Sequence, residues 1–194
     1  MSKRAWAGLA FCAGLCATAP AMALPAAATE DKKPAVEWVF PVIPKFGGVH
    51  PRDDLAVRPD PAKDYRILVQ VVSAAPAPDK PNPALIRLAR LVNLMGYAKV
   101  PSDHVHIVAV LDREAAMNAG TDAAFARFAK LDHNPNLPIL HALKGAGVAL
   151  MVCSQAMAEH GIPDDAISPD VTITLSALTD FAVYGERGYS FMQL

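Results

Sequence analysis

Cys153 is the residue whose type and position point most directly to chemistry. It closes the apolar run Val148-Ala149-Leu150-Met151-Val152 and is followed by Ser154, Gln155 and Ala156, which open a helical pattern through His160. In parallel α/β sheets, ligands and catalytic groups gather at the carboxyl ends of strands. The free N–H groups of the following helix should then point near the sulfur, and their field stabilises a thiolate, the nucleophilic form. Free cysteine is also among the most buried residue types, so an inert core thiol stands beside the reactive one. Asp112, Arg113 and Glu114 end another strand on the same sheet edge. They can assist a thiol, bind an anion or form an ordinary salt-bridged surface turn.

Other constellations carry less. Gly145 and Gly147 resemble a phosphate loop only superficially, because they close a helix and open a strand where such a loop does the reverse. They read as capping glycines. The chain has no dinucleotide fingerprint, P-loop or Gly-x-Ser-x-Gly elbow, so no cofactor is expected. His104 and His106 share a face of an extended segment, but nothing nearby completes a ligand set, and no metal is expected. His133 belongs to a turn before Asn134-Pro135-Asn136, and His141 and His160 lie on helical patterns as solvated residues.

The elements that would position these groups alternate along the chain. Arg66 to Val72 is an apolar, β-branched run read as a buried strand. Asn82 is an N-cap and Pro83 a first-turn proline for a helix with Leu85, Leu88, Ala89, Val92 and Met95 on one face. Gly96 offers that helix a stop. His104 to Leu111 is a second strand, followed by helical patterns near Asp122–Ala129 and Pro138–Lys144. Val148 to Val152 is a third strand, Val171 to Leu175 a fourth, Ser176 to Glu186 a helix and Tyr189 to Met192 a last strand. Strands alternating with helices define an α/β class built from parallel βαβ units, with helices on both sheet faces.

The chain has 194 residues, 53% of them apolar, and a net charge of −1. That suits one globular domain and excludes wholesale disorder. Without a basic run there is no electrostatic footprint for nucleic acid or an anionic membrane surface. The first residues differ in kind: Lys3 and Arg4, an apolar run from Ala5 to Ala19, then Ala21-Met22-Ala23. This is the grammar of a secretory signal peptide, with cleavage expected after Ala23 and a periplasmic mature protein. The run is too short for a comfortable span, which needs about 20 residues, so no membrane span is expected in the mature form. Three segments follow: a signal peptide over residues 1–23, a Pro-rich extended arm over 24–64 and an α/β domain over 65–194. Cys12 and Cys16 would leave with the signal peptide, and Cys153 would remain alone. In an oxidising compartment a single thiol implies a buried inert residue, a reactive group or an intermolecular bridge.

Taken together, Asn134-Pro135-Asn136, Gly147-Val148 leading to Val152-Cys153-x-Gln155, Ser176-Ala177-Leu178-Thr179 and the closing Gly188-Tyr189 resemble the DsrE/DsrF-like family, closest to its exported members. Phe40-Pro41-Val42-Ile43 through Gly47-Gly48-Val49 and the Asn82-Pro83 helix start add to the likeness, which covers nearly the whole mature chain. The resemblance implies a three-layer, parallel-sheet sandwich of the DsrE/flavodoxin-like kind, with about five strands and helices on both faces. It also implies assembly as homotrimers or homohexamers, and sulfur relay in which a cysteine carries sulfane sulfur as a persulfide. Cys153 matches the family's cysteine and Gln155 the residue two beyond it. Beside them, Ser154, Asp112, Arg113 and Asn134 of this chain are expected as further binding residues. Relatives often have His-Gly where this chain has Asp112-Arg113, so a helper histidine is missing there. The expected function is a periplasmic sulfur-carrier or sulfurtransferase-type protein working with a sulfur donor or acceptor protein. The alternatives are a non-catalytic oligomeric binding or scaffold protein with a structural cysteine, and a redox protein that dimerises through Cys153.

Overall fold

The computed structural model describes residues 36–194, which form one compact unit. The expected signal peptide and the first part of the arm lie outside the described residues. Five strands, β1 (Tyr65–Val71), β2 (Val105–Leu111), β3 (Ala149–Cys153), β4 (Thr172–Thr174) and β5 (Ser190–Gln193), form one sheet in the order β4-β3-β2-β1-β5. Every neighbouring pair is parallel. The last five residues of β1 and of β2 are all buried, as expected of central strands covered on both faces.

The helices are α1 (Pro83–Tyr97), α2 (Asp122–Phe128), α3 (Leu137–Gly145), α4 (Ser154–Glu159) and α5 (Ala177–Glu186). Successive strands β1 to β4 step in one direction across the sheet, whereas α5 carries the chain back to place β5 beside β1. Right-handed crossovers therefore put α5 on the face opposite α1. The sheet is covered by helices on both sides, an α/β sandwich as the sequence pattern requires. Among the described residues, no helix is long and apolar enough to cross a membrane.

Local sequence explains the helix starts. The Asn82 side chain accepts from the Ala84 N–H at 2.8 Å, with Pro83 in the first turn. Ser176 likewise accepts from the Leu178 N–H at the start of α5. Gly96 does not stop α1, which runs to Tyr97. A Cβ at Gly96 would collide with the Val42 side chain, so this glycine serves close packing.

Residues 36–64 contain no helix or extended strand, only an antiparallel bridge between Val39 and Val49. They are nonetheless fastened to α1. The buried Asn93 side chain accepts from the N–H groups of Val42 and Ile43 and donates to the carbonyls of Ile43, Phe46 and Gly47. Gly47, at φ +62°, lies so close to the Arg90 backbone that no side chain fits. Ile43 and Val49 are buried under this clasp.

Candidate functional site

The register of the sheet gathers the polar groups. Gln70 on β1 pairs with Val110 on β2, which pairs with Met151 on β3. Side chains two residues apart share a face, so Asp112 and Cys153 project on the same side as Gln70. Thr174 on β4 pairs with Cys153 and shares that side too. This is the α5 face, at the carboxyl ends of the strands.

A cleft of about 450 Å³ opens there. Its floor holds Gln70, Asp112 and Cys153, and α4 lines it with Gln155, Ala156 and Glu159. Leu178 and Phe181 of α5 also line it. Arg113 stands at the rim in the left-handed backbone region, at φ +50°, which is uncommon for a side-chain-bearing residue. It opens a 3-10 segment, Arg113–Ala119, absent from the sequence pattern. The Gln70 amide donates to Asp112 Oδ2 at 2.8 Å, tying the ends of β1 and β2 together.

Cys153 is only 2% exposed and packs within the apolar core, yet it lines this cleft. It is the one free cysteine among the described residues. Its Sγ accepts the Ala177 N–H at 3.5 Å. The donor is thus the first residue of α5, twenty-four positions along the chain, and not the adjoining α4. The reason is geometric. Cys153 is the N-cap of α4 but makes no side-chain capping bond, because its side chain leaves the sheet toward α5. Ala177, at the first position of α5, has an amide that the helix itself leaves unpaired.

The remaining candidates divide. Gln155 lines the cleft and donates to the Leu175 carbonyl at 3.2 Å, which Ser154 also reaches at 2.8 Å. Both side chains hold the loop before α5; Ser154 does not line the cleft. Asn134 does not line it either. It is buried, donating to the carbonyls of Asn118 and Gly120 and accepting from Asn136. Its place is in a loop-fastening network of asparagines. Sequence reasoning missed Gln70, Phe181 and Asp180. Gln70 carried a usable signal, being the one polar residue inside the run Ile67–Val72.

Asp180, in the first turn of α5, is 8% exposed. Thr174 donates to its Oδ1 at 2.7 Å, while its Oδ2 is buried without a partner. Burial pushes this carboxyl above its ordinary range, against the opposing hydrogen bond from Thr174.

The profile of the DsrE/DsrF-like family matches residues 67–194, which include every strand except the start of β1. No curated protein matches the chain. A solved protein of unknown function from Methanobacterium thermoautotrophicum is 18% identical, covering 68% of this chain and 100% of its own, with a TM-score of 0.48. The ychN protein from E. coli is 15% identical, covering 66% of this chain and 99% of its own, with a TM-score of 0.45.

Proposed function

The chain belongs to the DsrE/DsrF-like family, and on that footing we propose that it is an exported sulfur carrier holding sulfane sulfur as a persulfide on Cys153. The observation that carries this reading is the Cys153 sulfur in the floor of a cleft, 3.5 Å from a helix-terminal N–H. An N–H so placed favours an anion on sulfur, whether thiolate or persulfide.

In the forward step the Cys153 thiolate attacks the outer sulfur of a donor persulfide. A new S–S bond forms at Cys153, the donor's S–S bond breaks, and the donor leaves as its thiolate. An acceptor thiolate then attacks the terminal sulfur and releases the Cys153 thiolate. Sulfur moves at constant oxidation level, so neither oxidant nor reductant is needed. Arg113 and Gln155, at the cleft, are the groups suited to meet the incoming donor. Residues 1–23 act as a signal peptide cleaved after Ala23, which delivers the arm (24–64) and the domain (65–194) to the periplasm. Exposed Leu175, Leu178, Val183 and Phe191, on and beside α5, favour self-association as a homotrimer or homohexamer.

Mass spectrometry of the mature protein after exposure to polysulfide tests the carrier. The expected result is a gain of one sulfur that a reductant removes and that Cys153→Ser lacks. No gain, or an equal gain in Cys153→Ser, sinks the reading. The burial of Cys153 favours a second reading, a non-catalytic oligomeric scaffold with a structural thiol. That reading expects alkylation only after denaturation.

A further inference from the structure

The N-terminal turn of α5 holds two acidic groups at once. Ala177, its first residue, donates to the Cys153 sulfur, and Asp180 lies in the same turn with a carboxyl oxygen buried and unpartnered. The link is double, because Thr174, which holds the other carboxyl oxygen, is the strand partner of Cys153. We propose that Asp180 is a positioning residue for Cys153: carboxyl and sulfur share one helix terminus, so a charge on either opposes a charge on the other.

The surroundings give the Asp180 carboxyl no paired cation. Among the described residues, no lysine, arginine or histidine forms an ion pair with Asp180. On α5 itself, Tyr184 follows one turn later, and the Arg187 guanidinium lies over the Tyr184 ring. From β1, Arg66 donates to the Arg187 carbonyl at 3.5 Å. From β4 comes only the neutral Thr174 hydroxyl, and from β3 the sulfur itself. Across the cleft stand Asp112, Arg113 and Glu159. An anionic Asp180 therefore opposes, by like-charge repulsion, the field that the helix terminus presents to the sulfur anion. A protonated Asp180 leaves that field to the sulfur. The inference refines the carrier reading by naming what sets the sulfur's charge, and in that sense rests on it.

The test is the rate of iodoacetamide alkylation of Cys153 in the folded full chain, followed against pH. A unit charge on the turn whose first amide holds the sulfur, at a partly buried site, should displace its titration by about one pH unit. Asp180→Asn is expected to move the alkylation midpoint down by about one unit, with about tenfold faster alkylation below it. Asp180→Ser, a second neutral replacement, is expected to do the same. Asp180→Glu, which keeps the charge, is expected to hold the wild-type midpoint. An unmoved midpoint in the folded neutral variants, or an equal shift in Asp180→Glu, overturns the inference. A further measurement uses the wild-type chain. Its Asp180 carboxyl, read by NMR, should titrate higher when Cys153 carries a carboxymethyl group than when it carries a neutral carbamidomethyl group. Identical titrations overturn the inference. Sulfur uptake is a separate readout: a shifted midpoint without uptake supports the coupling and sinks the carrier.

Discussion

Ala177→Pro isolates the hydrogen bond on which the proposed sulfur chemistry depends. Proline removes the one N–H that reaches Cys153 Sγ, at 3.5 Å, and removes nothing else the helix uses. The first helical position tolerates proline because its amide has no partner within the helix. The residue before it must be extended, and Ser176, at φ −166° and ψ 142°, already is. The ring does add carbons beside a buried sulfur, and such overpacking costs about 1–3 kcal/mol. A melting curve therefore comes first, to establish that the variant is folded. A hydrogen bond to a charged group contributes about 1.5–3 kcal/mol. Losing it should move the alkylation midpoint of Cys153 up by about one to two pH units. At a pH below the midpoint, alkylation should slow by about 10- to 100-fold. Ala177→Ser keeps the N–H and should keep the wild-type profile. A folded Ala177→Pro protein whose profile matches the wild type would refute the reasoning, since the sulfur would then be held by something other than this amide.

Three further predictions concern the frame around the site. Asn93→Ala strands two backbone N–H groups and three carbonyls and should destabilise the fold by about 3–5 kcal/mol in urea unfolding; a loss under 1 kcal/mol would contradict the clasp. Burial acts to raise the Asp170 carboxyl, but hydrogen bonds from Lys144 and His141 outweigh it and hold the group below its ordinary range. Its contribution is present above the ordinary carboxylate range and lost as pH falls through the lowered value, so Lys144→Met should flatten the acid limb of a stability-against-pH curve. Asp180 has the opposite sign. Its raised pKa gives a contribution complete below the ordinary carboxylate value and lost as pH rises through the raised one. Asp180→Asn should remove that decline, as read by melting temperature across mildly acidic pH.

The sheet was legible because its signals are local. Ile67-Leu68-Val69 and Ile107 to Leu111 are strands buried on both faces, so their unbroken apolar character announces parallel pairing. Asn82-Pro83 and Ser176 fix helix starts through bonds spanning two residues, which a sequence displays directly. Where the deciding contact is distant, local reasoning stops short. Gly96 has the form of a helix stop, but α1 continues through it because Val42, more than fifty residues earlier, needs the space. The 3-10 segment Arg113–Ala119 carries no cap or periodicity, and its alanines are held by burial against β2, β3 and α4.

The same distinction governs the site. That Cys153 ends a strand is a local fact, and a strand end is where sulfur can meet solvent. Which amide it meets is not local, because the chain must complete β4 and reverse before α5 can present Ala177. Reversal by a right-handed crossover sends α5 to the face from which Cys153, Asp112 and Gln70 project. A sequence therefore locates the thiol but not the amide that faces it. Exposure alone is a poor guide to the outcome: a sulfur 2% exposed can be inert filler or the floor of a cleft, and the two differ in what stands above it. Here the amide that reaches the sulfur and a buried carboxyl stand on one helical turn. The charge that turn admits, rather than the accessible area of the thiol, is what should determine how fast Cys153 reacts.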